Sequence, residues 1–288
     1  MKIGIGLPAT IPDVQGSLIL DWARQAEAAN FSSLGIIDRL VYGNYEPLIT
    51  LAATAGVTSR IRLMTTVLLA PLRNPGMLAK QAASLDALSG GRLTLGLGVG
   101  GREDDFQAAP ASFHRRGKQL DEQLALMTRV WSGQPVSDTI GGIGPTPAQA
   151  GGPEILLGGY TPAALQRLAR WGHGYIGGGA APEQAAQLFH MAEEVWQKAG
   201  KAGRPRLVAC TYYGLGPNAA DGIMSYLGNY YAFLGPMVQQ MAKTMPSTPD
   251  AVRAAVKTYN DIGADELILW PCIPDLDQIK RLADIVQG

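Results

Sequence analysis

Short apolar runs recur along the chain, each followed by a longer stretch whose apolar positions repeat at helical spacing. The runs that read as strands are residues 2–7, 33–37, 61–67, 93–98, 154–157, 174–177, 206–213 and 265–270. Several are apolar at nearly every position rather than at alternate ones, as parallel strands covered on both faces must be. Helices are predicted over 18–30, 47–55, 76–88, 117–131, 163–170, 182–199, 249–262 and 275–286. In the first, Trp22, Ala23, Ala26 and Ala29 fall on one side; over 117–131, Leu120, Leu124 and Met127 align in the same way. Pro182 and Pro249 suit first helical turns, where a missing N–H costs no helical bond. Strand and helix alternating eight times predict an α/β closed parallel barrel, the (β/α)8 or TIM barrel, whose working face lies at the carboxyl ends of the strands. An open doubly wound sheet would want a Gly-x-Gly-x-x-Gly turn after the first strand, but Leu7-Pro8-Ala9-Thr10-Ile11-Pro12 stands there.

Two irregular stretches interrupt the alternation. Residues 134–152 are rich in Gly and Pro and end one half of the barrel. Residues 217–246 carry Met224, Tyr226, Tyr230, Tyr231, Phe233, Met237 and Met241 and read as a helical insertion in the seventh strand–helix unit. Because it follows a strand it belongs on the working face, as a cap, as a dimer-packing helix or as a lining for substrate. Residues 1–288 are therefore expected to form one barrel domain with that insertion.

Composition narrows the partner. Lys and Arg total 24, as do Asp and Glu, so no basic surplus exists to neutralise nucleic-acid phosphates or an anionic membrane. A small molecule is the expected ligand. No apolar run approaches the roughly 20 residues of a membrane span, and Met1-Lys2-Ile3-Gly4-Ile5-Gly6 enters a strand directly with no export signal. A cytoplasmic protein is expected, with Cys210 and Cys272 as buried thiols rather than a disulfide.

Metal and nucleophile chemistry find little footing. His114, His173 and His190 have no ligand spacing, so no metal site is expected, and His190 reads as a surface residue on a helix. A Gly-x-Ser-x-Gly elbow is absent. Glu103-Asp104-Asp105 follows the fourth strand and reads as a solvated charge run or a ligand contact. The glycines carry more. Gly158-Gly159-Tyr160-Thr161-Pro162 runs from a strand end into a helix start, where bare amides, the helix dipole and the Thr161 hydroxyl form a phosphate cradle. Gly177-Gly178-Gly179 ends the next strand before another helix, and the two runs together favour gripping one phosphate. Leu95-Gly96-Leu97-Gly98-Val99-Gly100-Gly101 would leave one side of the fourth strand tip flat enough for an aromatic ring system.

Several blocks in order resemble the bacterial luciferase-like, flavin-dependent oxidoreductases. They are Arg60-Ile61-Arg62-Leu63-Met64-Thr65-Thr66-Val67, Arg73-Asn74-Pro75, Leu85-Asp86-Ala87-Leu88-Ser89-Gly90-Gly91-Arg92 and Leu95 to Gly100. The likeness continues through Phe113-His114-Arg115-Arg116-Gly117, Asp121-Glu122 and Trp131-Ser132-Gly133, and covers essentially the whole chain. The resemblance implies a TIM barrel holding FMN, or the deazaflavin coenzyme F420, at its carboxyl end. It implies a non-proline cis peptide at Thr66-Val67 behind the ring, with Gly98 and Gly100 beside it. It places the phosphate at Gly158, Gly159, Tyr160 and Thr161, with Gly177 and Gly178 adjacent. Arg92 precedes a strand and reads as structural. Sugar-phosphate dehydrogenases of this family carry Asp-His after the second strand and a glutamate after the fourth; this chain has Asp38-Arg39 and Gly101. Arg39 is thus the candidate catalytic residue, stabilising a developing anion, or else a loop ion pair with Asp38 or Glu46. The expected activity is that of an FMN-dependent monooxygenase fed by a separate flavin reductase, with a homodimer as the family expectation. An F420-dependent hydride-transfer enzyme and a non-catalytic flavin-binding protein are the alternatives.

Overall fold

In the computed structural model, which describes residues 1–179 and 181–287, the alternation closes on itself. The elements are β1 (Lys2–Gly6), α1 (Gly16–Ala28), β2 (Ser33–Ile36), α2 (Pro47–Ala55), β3 (Arg62–Leu69), α3 (Pro75–Leu88), β4 (Leu93–Gly98), α4 (Glu103–Ala108), α5 (Arg116–Trp131) and β5 (Glu154–Leu157). Then come α6 (Pro162–Trp171), β6 (Gly174–Gly178), α7 (Pro182–Lys198), β7 (Arg206–Tyr213), α8 (Ala219–Tyr230), α9 (Met237–Thr244), α10 (Pro249–Asp261), β8 (Glu266–Pro271) and α11 (Asp277–Val286). All strands pair in parallel, in chain order, and β8 returns to β1. The predicted barrel is the observed one. The insertion resolves into α8, a 3-10 turn at Ala232–Leu234 and α9.

Local chemistry sets the helix starts. Asn74, Thr161 and Thr248 each stand before a proline and accept an amide from the first turn, at 3.0, 3.3 and 3.2 Å. α1 ends at Ala28, so Ala29 lies beyond it rather than on its buried stripe of Ile19, Trp22, Ala23 and Ala26. On α5 the predicted stripe is buried together with Val130 and Trp131. Cys210 and Cys272 are free and buried, and burial pushes both thiols up, so neither ionises readily. Arg92 donates to the carbonyls of Ala55, Thr58, Ile61 and Ser89, tying the turn after α2 to the start of β4. It is a structural residue, as its position before a strand predicts.

One carboxylate acts as a hub for the turn into β3. Glu27 accepts the amides of Ser59, Arg60 and Ile61 at 2.9, 2.6 and 2.9 Å. Partial burial pushes its pKa up, but the amide bonds outweigh that and bring it below the usual 4.5. A depressed folded value means stability that is complete above the unfolded value and is lost as pH falls through the folded one. Glu27→Ala should therefore cost about 1–2 kcal/mol at neutral pH. The gap from wild type should narrow below about pH 4, measured by urea unfolding at both pH values.

Candidate active site

The loops at the carboxyl ends of the strands enclose a cavity of about 640 Å³. Arg39, Thr66, Val67, Gly98 and Gly100 line it on one side, and Gly158, Gly159, Tyr160, Thr161 and Gly178 line it on the other. Gly177 does not. Strand alternation turns Ile176 and Gly178 toward the cavity, and Gly177 instead shares its face with Tyr175, which packs on Phe189 of α7.

The floor is the end of β3. The Thr66-Val67 peptide is cis, and the pairing of β3 with β4 shifts register between Thr65 and Leu68. The Trp270 indole donates to the Thr66 hydroxyl at 3.2 Å, fixing it at the barrel centre. A Cβ on Gly96 would lie 2.1 Å from the Thr65 carbonyl, and one on Gly98 would lie 2.7 Å from a Val67 methyl. These glycines thus admit the bulged β3 and the Val67 side chain; they do not leave a bare flat strip, as the sequence pattern alone implied.

The opposite wall is rich in donors. The Gly158 amide is already bonded to the Leu97 carbonyl at 2.9 Å, so that glycine positions the loop and offers no N–H. The amides of Gly159, Tyr160, Thr161 and Ala163 have no partner among the described residues, and they converge at the amino end of α6. The Tyr160 hydroxyl donates to the Gly178 carbonyl at 2.6 Å, joining the two glycine runs. Arg116, at the start of α5, stacks on Phe113 and donates to its carbonyl, while its buried Nε has no partner. Arg167 is held by Asp121 at 2.8 Å. Unsatisfied amides, an orphaned guanidinium nitrogen and a helix amino end are what a phosphate ester needs, so these residues fit the phosphoryl end of a flavin. His114 stands on the same rim.

Arg39 is an ion-paired residue, but not with the partners its sequence neighbourhood offered. Its side chain is 5% exposed and donates to Asp105 at 2.7 Å and Asp104 at 3.0 Å. Asp105 also accepts the amides of Leu40 and Val41. Asp38 and Glu46 pair instead with Arg73. Burial pushes the Asp38 carboxyl up and Arg73 opposes it. Of the acidic trio, Asp105 is thus buried in the cavity wall, as part of the short α4, while Glu103 is exposed.

The insertion and the ends of β7 and β8 supply an aromatic wall. Tyr212, Tyr230, Tyr231 and Trp270 line the cavity, with Tyr212 and Trp270 rings 4.9 Å apart and Tyr226 stacked on Tyr230 at 5.8 Å. Arg102 reaches over from the β4–α4 loop to cover Phe233 at 4.0 Å. Burial pushes the Tyr212 and Tyr230 hydroxyls up, so they act as neutral donors rather than bases. Asp105 belongs to the acidic trio read from the sequence as a solvated run or a ligand contact; Arg102, Arg116, Tyr212 and Trp270 were not among the residues singled out as ligands from the sequence. Only the aromatic run at 217–246 and the acidic trio pointed their way. Among the described residues no His, Cys, Asp and Glu cluster could hold a metal ion, and no helix is long and apolar enough to cross a membrane.

The carboxyl face of the barrel thus carries one cavity with a donor-rich wall and an aromatic wall. Residues 1–221 match the family model described as luciferase-like monooxygenase, and the chain belongs to that family. An uncharacterised protein of Mycobacterium tuberculosis is 32% identical over 206 residues, covering 62% of this chain and 71% of its own length. Among solved structures, the monooxygenase RslO1 of Streptomyces bottropensis superposes with a TM-score of 0.81 at 23% identity, over 100% of this chain and 99% of that one. An F420-dependent secondary alcohol dehydrogenase in complex with an F420–acetone adduct superposes at 0.79 and 17% identity, over 99% and 98% of the two chains. These two likenesses are of fold.

Proposed function

We propose that the protein is an FMN-dependent monooxygenase acting on a small organic substrate. The observation that carries this reading is one cavity bounded by both the bulged end of β3 and the unsatisfied amides before α6. Those two features suit the ring and the phosphoryl end of one flavin. When bound, reduced FMN supplies two electrons for activating O₂, one atom of which enters the substrate.

The chain's own residues bind, orient and exclude water. The Gly159, Tyr160, Thr161 and Ala163 amides and Arg116 hold the phosphate. Thr66 and Val67 back the ring, and the Trp270–Thr66 hydrogen bond keeps that backing in place. Arg39, oriented by Asp105, stabilises negative charge developing on the ring or on substrate. The tyrosines of α8 and the turn after it shield the site from solvent. A separate reductase is expected to deliver the reduced cofactor, and a homodimer is the family expectation.

The second reading, an F420-dependent hydride-transfer enzyme, is favoured by one observation: Arg116, with no carboxylate partner among the described residues, lines the cavity together with the loop before α6, where a longer anionic tail would need a cation. Titration with FMN and with F420 separates the two readings, because Trp270 in the cavity wall reports occupancy by fluorescence quenching. FMN is expected to quench, and the loaded protein is expected to take up O₂ when the flavin is reduced in the presence of an aromatic substrate. Quenching by F420 alone would overturn the FMN assignment, and quenching by neither would overturn both.

A further inference from the structure

Four arginines line the cavity, and they differ in how their charge is met. Arg39 is paired with Asp105 and Arg167 with Asp121. Arg116 and Arg102 have no carboxylate within ion-pair distance among the described residues. Arg116 belongs with the amides at α6, on the phosphate wall. Arg102 belongs elsewhere: among the described residues it donates to the Tyr230 carbonyl at 2.8 Å, and its guanidinium lies over Phe233 and Tyr230, at 4.0 and 5.2 Å from the ring centres. The aromatic faces hold the cation without neutralising it. Burial and then the nearby Arg39 charge both push its pKa down, while Tyr230, Tyr231 and Asp104 oppose this. Asp104, the acid on that side, is committed to Arg39 at 3.0 Å. A guanidinium with spare N–H donors, fixed by rings and facing a cavity, is a receptor for an anionic oxygen.

We propose that the substrate is an aromatic anion, a ring system bearing a carboxylate or phenolate oxygen, and that Arg102 takes its charge while the tyrosine wall takes its ring. This deepens the monooxygenase reading and rests on it for the reaction. The anion preference is a property of the cavity itself and is measurable without cofactor. Tyr212, Tyr230 and Tyr231 line the cavity and accept a planar body by edge and face contact; Tyr230 and Tyr231 already meet edge-on at 4.9 Å. The insertion and the β4–α4 loop then select together, since Arg102 is itself positioned by Phe233 and Tyr230.

The test is equilibrium binding of 2-naphthoate and its neutral isostere 2-naphthamide to wild type, Arg102→Met and Arg102→Lys, each with and without FMN. Wild type is expected to prefer the anion by roughly tenfold or more. Arg102→Met should abolish the preference by weakening naphthoate alone, with naphthamide binding showing that the pocket survives. Arg102→Lys should retain most of the preference, because the charge stays while the fork is lost. Equal binding of the two probes to wild type would overturn the proposal, and so would a preference that survives Arg102→Met. If no cofactor bound at all, the flavin reading would fail while the naphthoate ratio still decided this one.

Discussion

Replacing Ala163 by Asp is expected to weaken FMN binding roughly a hundredfold while leaving the fold at least as stable as wild type. Ala163 is exposed at the second position of α6 and lines the cavity. An acid in a first helical turn is favoured by the helix dipole, so the substitution brings no folding penalty of its own. The same carboxylate stands where the phosphoryl group would be bound. Two charges about 4–5 Å apart in a partly buried site repel by roughly 3 kcal/mol, which is the hundredfold. Gly158→Asp is a poorer probe: its Cβ would come 3.2 Å from Val67 and 3.3 Å from the Ile176 carbonyl, so lost affinity there would mix charge with crowding. The measurement is FMN titration of Ala163→Asp beside Ala163→Ser. Unchanged affinity in the Asp variant would remove the phosphate from α6.

Arg206→Met is expected to destabilise the protein by about 3–5 kcal/mol without touching the cavity. At the amino end of the barrel Arg206 bridges two carboxylates, Glu154 on β5 and Glu266 on β8. Glu266 is 1% exposed and also accepts the hydroxyls of Ser32 and Ser33. Glu154 accepts from Thr94 at 2.8 Å, and Thr94 accepts from Arg62 at 2.7 Å. A polar plug thus spans β2, β3, β4, β5, β7 and β8. Removing its central cation leaves a buried carboxylate without its partner, which is far costlier than never having placed a pair there. Adding Glu266→Gln to Arg206→Met should recover part of the loss. Urea unfolding of the single and double variants reads both effects, and a single-variant loss below about 1 kcal/mol would mean the plug is hydrated.

The barrel was legible because period and punctuation agree along nearly the whole chain. Glu154–Leu157 and Arg206–Tyr213 fall where their apolar runs end, and Pro182 and Pro249 open helices as their ring chemistry dictates. What stayed hidden is what no local signal encodes. α4 is six residues long, too short to show an apolar period, so its acids read as either a solvated run or a ligand contact, and nothing local showed that Asp105 is buried against Arg39. That ion pair joins residues 66 apart in the chain, whereas Asp38 and Glu46 were nearer in sequence and are taken by Arg73. Gly177 and Gly178 look alike as letters; only strand parity tells which one faces the cavity. Gly98 signalled a close approach correctly, but the approaching group includes Val67 of the same chain. Arg102 carried no signal, since its meaning comes from rings more than a hundred residues away.

The family match stops at residue 221, three residues into α8, and the tyrosines and Phe233 of the aromatic wall beyond β7 lie past that point. Apart from Trp270 on β8, the groups assigned to the cofactor come from the ends of β3 to β6 and from α5 and α6, all before it. On the proposed reading, most contacts to the coenzyme gather in one stretch of polypeptide, while the molecule it acts on is met by another stretch together with Arg102 of the β4–α4 loop. Grafting within residues 222–245 is then expected to change which ring is accepted, while the preference for charge, set at residue 102, stays.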